Sequence, residues 1–127
     1  MKFELKHGLI WISFTIQYEK KEVVINNCIL DTGSSTTAIE IDLVELNYEK
    51  PSKIKRLFGI GGGTQEVIAQ NAEKIIIAGQ ELHDIEIEFG DIQSQLGING
   101  FIGNDLLSRY KVIIDYYRSE IVLSNRS

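Results

Sequence analysis

Ile10, Ile12, Phe14, Ile16 and Tyr18 alternate with Trp11, Ser13, Thr15 and Gln17, and no other feature of the chain constrains its fold so tightly. Side chains of an extended strand point alternately to opposite sides, so a period of two buries one face of a strand and no face of a helix. The polar stretch from Glu19 to Glu22 then turns the chain into a second strand, Val23 to Leu30, which makes a hairpin. Ile85, Ile87 and Phe89 repeat the alternation against Asp84, Glu86 and Glu88. The five acids between Glu81 and Asp91, with no lysine or arginine among them, read as a solvated sheet face. EKIIIAGQEL reads as a strand entering a tight turn at Gly79-Gln80, and VIIDYYRSEIVL as a hairpin around Tyr117-Arg118-Ser119.

Helical spacing is scarce. Ile41, Val44 and Leu46 suggest a short helix within 41–50, closed by Pro51. Residues 103–111 suggest a better one, with Asn104 as N-cap, Asp105 in the first turn, and Arg109 and Lys111 near the C-terminal end. Many short strands with one convincing short helix predict an all-β barrel or sandwich. At 127 residues the chain is read as a single domain over 1–127.

A formal net charge of −5 gives no basis for nucleic acid or an anionic membrane as partner, and the apolar runs are too short to span a bilayer. Cys28 is the single cysteine, which excludes an internal disulfide and fits a reducing compartment. The N-terminal stretch carries Glu4 and no small-residue cleavage site, so a cytoplasmic protein is expected. His7, His83 and Cys28 lack metal-ligand spacing, and neither a metal nor an organic cofactor is expected.

The chemistry concentrates at CILDTGSSTT, residues 28 to 37. A carboxylate at the end of an apolar strand is costly to bury without partners. Asp31 is therefore either a turn residue that escapes to solvent or a carboxylate held half-buried for a reaction. Thr32, Gly33, Ser34 and Ser35 are small enough for a tight turn and carry hydroxyls and N–H groups that a carboxylate can accept from. On its own this is an ordinary Asx turn. LFGIGGGTQEV, residues 57 to 67, places a glycine cluster between two apolar-polar strands, where backbone can come close to a ligand. No helix pattern follows it and no Lys-Ser/Thr closes it, so a phosphate-binding loop does not fit. In GINGFIGNDLL, residues 97 to 107, Phe101 and Ile102 followed by Gly103 can wedge beneath a turn and let another segment cross closely.

Together, in this order and spacing, the three motifs resemble the retropepsin-like aspartic proteases. The resemblance implies an acid-protease barrel with a β-hairpin flap and one short C-terminal helix, its active site at a homodimer interface. It implies Asp31 as the catalytic carboxylate and Ile60, Gly61, Gly62 and Gly63 as the flap that covers peptide. Phe101, Ile102 and Gly103 become the packing beneath the catalytic turn. Within that turn, Thr32 would bond across to the partner turn, Gly33 would admit substrate backbone, and Ser34 would donate to the outer oxygen of Asp31. The mechanism needs two carboxylates and the chain has one D-T-G, so a homodimer is implied. The edges near Met1–Leu5 and Ile121–Leu123 are the candidates to pair across its interface. The expected function is an aspartic endopeptidase acting on peptide or protein. The alternative is the same fold used as a non-catalytic peptide-binding or dimerisation module. Two departures stand out. Viral members usually carry alanine where Ser34 stands, and an acidic residue, paired with an arginine of the late helix, where Ser35 stands. Here the late helix begins Asn104-Asp105, without that ion pair.

Overall fold

The computed structural model describes residues 1–58 and 64–125. The alternating segment is β2 (Leu9–Tyr18), which forms the expected hairpin with β3 (Lys21–Leu30), while β1 (Glu4–Lys6) lies on its other side. The remaining strands are β4 (Ala38–Glu40), β5 (Lys53–Phe58), β6 (Thr64–Ile77), β7 (Gln80–Gly90), β8 (Gly100–Ile102), β9 (Tyr110–Asp115) and β10 (Glu120–Asn125). They pair in the order β1-β2-β3-β8-β4-β7-β6-β5, with β9 and β10 as a separate hairpin. An additional pairing, Thr15–Gln17 of β2 against Lys74–Ile76 of β6, links the strands from β2 to β6 into a ring. The chain is mostly β, as its alternation predicts.

Ile10, Ile12, Phe14, Ile16 and Tyr18 all point into the core, where they meet Ile25, Cys28 and Leu30 of β3 and Ile85, Ile87 and Phe89 of β7. Full burial of one such aliphatic or aromatic side chain stabilises by roughly 1.5–3 kcal/mol, so β2 alone anchors the sheet. The inward phase of β3 breaks between Ile25 and Cys28. There Asn26 and Asn27 oppose the single residue Ser13, and Asn27 sits at φ 61°. This β-bulge uses asparagine, which tolerates the left-handed region better than most residues. It shifts the strand by one step, so Cys28 and Leu30 face the core and Ile29 and Asp31 face the opposite side. Without it the Asp31 carboxylate would start from the buried face.

Cys28 is fully buried, and burial pushes its thiol up to about 12. Only the thiolate alkylates readily. Iodoacetamide should therefore leave Cys28 unmodified in the folded protein and label it once urea unfolds the chain. Rapid labelling of the native protein, read by mass spectrometry, would contradict this packing.

Four local expectations are corrected. Within 41–50 only Ile41–Leu43 curls, as a single 3-10 turn. Asn47 Oδ1 accepts from Glu49 N at 3.0 Å, and Asn47 N donates to Tyr18 Oη at 3.0 Å, so local side-chain bonds replace the helical ladder. An unexpected one-turn helix, α1 (Gln93–Leu96), precedes the late one. The late helix is α2 (Asn104–Leu107), also one turn long because Tyr110 already enters β9 and is buried. Its N-cap is Gly103, not Asn104. The acidic face of β7 is not wholly solvated: Glu88 is 2% exposed, between the small strand neighbours Ala38 and Ala69. The Lys55 ammonium reaches across β6 to within 3.0 Å of Glu86 and 3.5 Å of Glu88. The carboxyl of Glu86 is lowered below its ordinary range, chiefly by its hydrogen bond from Lys55. Finally, the terminal edges pair with each other inside one chain. Ile121 N donates to Met1 O at 2.8 Å, the N-terminal ammonium to Ile121 O at 3.0 Å, and Phe3 N to Ser119 O at 2.9 Å. Backbone donors left bare on an edge are filled by whichever strand is tethered nearby, and here that strand is the chain's own N-terminus.

Candidate active site

β3 and β8 run parallel, with Leu30 beside Ile102, so Asp31 and Gly103 leave the sheet side by side. Asp31 N donates to Ile102 O at 2.9 Å, which extends the pairing one step beyond the strand. The chain then turns sharply, Ser34 N donating to Asp31 O at 3.2 Å. Gly33 N donates to Asp31 Oδ1 at 2.9 Å, and Oδ2 has no hydrogen-bond partner among the described residues. The carboxylate is half-buried, held by one oxygen and open at the other. A Cβ at Gly33 would come 3.2 Å from Asp31 Oδ1, close enough to press on that carboxylate.

The F-I-G segment lies directly beneath this turn. Ile102 is fully buried in the core, and Phe101 is half-buried on the other face, packed with Trp11 and Ile29 against Ala38, Ile92 and Ile98. At Gly103 a Cβ would lie 2.1 Å from Thr36 O and 2.9 Å from Ser34 O, so the turn passes over Gly103 at backbone contact. Gly103 φ is −104°, ordinary for any residue. The glycine is there for space alone.

Four residues that the sequence reading did not assign to the site hold it together. Asn104, read there only as a helix cap, donates from its backbone to Ser34 O at 2.8 Å and from its side chain to Thr32 O at 2.6 Å. It clamps both limbs of the turn. Asp105 accepts from Thr37 Oγ1 at 2.8 Å, from Thr37 N at 3.2 Å and from Leu106 N at 2.9 Å, while Thr37 Oγ1 accepts from Gly103 N at 3.1 Å. Asp105 and Thr37 thus tie α2 to the end of the turn. No periodicity marks two polar residues so far apart in the chain as partners. A third polar anchor is Glu40, 1% exposed, whose carboxylate accepts from Asp42 N, Ile92 N and Gln93 N and fixes the segment that leads to β8.

Ser34 departs from its expected role. Its hydroxyl donates to Thr36 O at 2.8 Å and accepts from Thr36 N at 3.3 Å, so its one proton closes the turn and does not reach Asp31. A serine facing the nearest backbone acceptor two residues on makes the local bond first. Ile60, Gly61, Gly62 and Gly63 lie outside the described residues. The strands that flank them, β5 and β6, pair antiparallel from Lys53↔Ala69 to Phe58↔Thr64.

Residues 6–115 match the sequence profile of the retroviral aspartyl protease family. The chain belongs to that family. Compared with curated proteins, it has no match. Membership of the retroviral aspartyl protease family supports a function of the aspartic-protease type.

Proposed function

We propose that this chain is an aspartic endopeptidase that works as a two-fold homodimer, with Asp31 of each protomer facing its copy. The observation that carries the reading is the open Oδ2 of a half-buried Asp31 in a chain with a single D-T-G. An isologous interface brings a residue near the axis against its own copy, so one turn per chain becomes a pair of carboxylates. Two carboxylates about 3 Å apart cannot both ionise and share one proton. The ionised member removes a proton from water as the water oxygen bonds to the scissile carbonyl carbon. The protonated member gives its proton to the carbonyl oxygen. The first member then gives its new proton to the amide nitrogen. The second, now ionised, takes a proton from a diol hydroxyl, so the C–N bond breaks and the pair again holds one proton. Ile60 and Gly61 to Gly63 act as the lid over extended peptide, Thr32 bonds to the partner turn, and Gly33 lets substrate backbone approach.

The test is a mixed peptide library incubated with wild type and with Asp31→Asn. New termini made by the wild type and not by the variant support the reading, whereas identical product sets would refute it. A non-catalytic peptide-binding or dimerisation module is the second reading, and one observation favours its peptide-binding form. Met1 and Phe3 fill the edge of β10 from within the chain, which leaves that edge unavailable to a second protomer. It would show as peptide binding without new termini. The clamp at Asn104 gives a further expectation. Asn104→Ala keeps the backbone bond to Ser34 and loses the side-chain bond to Thr32, so stability should fall by ~1 kcal/mol. Because a loosened turn misplaces the carboxylate, kcat should fall about tenfold with KM nearly constant. A variant with unchanged kcat would remove Asn104 from the positioning of the turn.

A further inference from the structure

Glu88 carries the strongest unexplained chemistry in the molecule. Its side chain is 3% exposed, and neither Oε1 nor Oε2 has a hydrogen bond. A buried carboxylate without donors is costly, and the energy is recovered only if something supplies them. The cation near it among the described residues, Lys55, is 3.5 Å from Oε2 but gives its hydrogen bond to Glu86 at 3.0 Å. Lys53 is also directed to Glu86, at 3.6 Å. Lys55 therefore offsets the charge of Glu88 without satisfying its oxygens.

The register places Glu88 on the face that presents Asp31. Residues paired across neighbouring strands share a face. Trp11 pairs with Ile29, Ile29 with Phe101, Phe101 with Ala38, and Ala38 with Glu88. Ile29 precedes Asp31 by two, which puts those two residues on that face as well. Two strand spacings separate Glu88 from Phe101, or about 10 Å, which an extended peptide covers in about three residues. Beyond Ala69, the other strand neighbour of Glu88, the surface opens into a groove of about 550 Å³ lined by Lys53, Ala69 and Glu86 among others.

We propose that Glu88 makes one subsite of the peptide cleft selective for a basic side chain, lysine or arginine, lying over Ala38. This rests on the reading of the Asp31 face as a peptide-binding cleft. Ala38 is small but fully buried, so the basic side chain enters by displacing Lys55. That lysine is one-third exposed and already bonded to Glu86, and can give way without losing its own partner. An arginine fork would supply donors to both bare oxygens at once, the geometry in which such bonds are strongest.

The test uses the full chain with Asp31→Asn, which binds without cutting, on an array of extended peptides in which each position is varied in turn. Lysine and arginine should bind about tenfold more tightly than alanine at one fixed position, the size expected of charge-assisted hydrogen bonds. Glu88→Gln and Glu88→Leu, each on the Asp31→Asn background, should abolish that preference, and Glu88→Leu should replace it with an aliphatic one. Removing a buried charge for an apolar residue is often neutral or stabilising, so both variants should fold. No basic preference, no binding at all, or a preference that survives both substitutions would overturn the assignment. The same peptides with wild-type chain separate the two claims. Cleavage without a basic preference refutes the role of Glu88 alone, and a Glu88-dependent preference without cleavage refutes the endopeptidase alone.

Discussion

Gly103→Ala should lower the thermal midpoint by roughly 10 °C or more, from a loss of about 3 kcal/mol. The added Cβ would lie 2.1 Å from Thr36 O, 2.7 Å from the Thr36 carbonyl carbon and 2.9 Å from Ser34 O. All three are backbone atoms, so no rotamer change relieves the clash. The turn would have to lift, breaking the Asn104–Ser34 and Gly103–Thr37 bonds with it. Gly97→Ala is the proper comparison. Gly97 has φ 70° and open space around its missing Cβ, so alanine there meets only the left-handed penalty of ~1 kcal/mol. Scanning calorimetry should rank Gly103→Ala well below Gly97→Ala. Equal midpoints would mean that the turn does not press on Gly103.

Asp31→Asn should lower turnover by at least ~10³-fold, since both the base that takes a proton from water and the acid that polarises the carbonyl are removed together. Its stability should barely change. Asparagine is nearly the shape of aspartate, and its Oδ1 can accept the bond that Gly33 N now gives to Asp31 Oδ1. This pairing of outcomes is informative because Asx turns alone predict the opposite. A purely structural Asp31 would leave any activity intact in the variant. Unchanged hydrolysis with an unchanged melting curve would therefore remove Asp31 from the chemistry.

Much of the fold was legible because one physical rule, alternation with a period of two, dominates β2 and β7. What the period could not show was where its phase breaks. The bulge at Asn27 reverses the facing of everything after Ile25, yet an asparagine pair at a strand bend looks like any polar stretch. The solvated reading of Glu88 failed for a related reason: which side of a strand meets solvent depends on what crosses over it, here Lys55 from two strands away. Helix 103–111 shrank to one turn because β9 takes Tyr110 into the sheet, a tertiary demand that overrides local propensity. At the site, Asp31 and Gly103 were readable since their constraints are local in type, a polar group beside a core strand and a missing side chain. The partnership of Thr37 with Asp105 was not, because it exists only once β3 and β8 lie parallel. Ser34 shows the limit of carrying over a family role: its hydroxyl follows the nearest acceptor, the Thr36 carbonyl.

The central claim is that two copies of Asp31 form one active site, and subunit mixing tests it most directly. Wild-type chain is combined with increasing proportions of Asp31→Asn, exchanged to equilibrium, and peptide hydrolysis is measured at constant total protein. If catalysis needs both carboxylates, only wild-type pairs are active. Activity then follows the square of the wild-type fraction, reaching about one quarter in an equimolar mixture of freely exchanging chains. Activity that falls in proportion to the wild-type fraction, to about one half at the same point, would mean that each chain works alone. That result would contradict the shared pair.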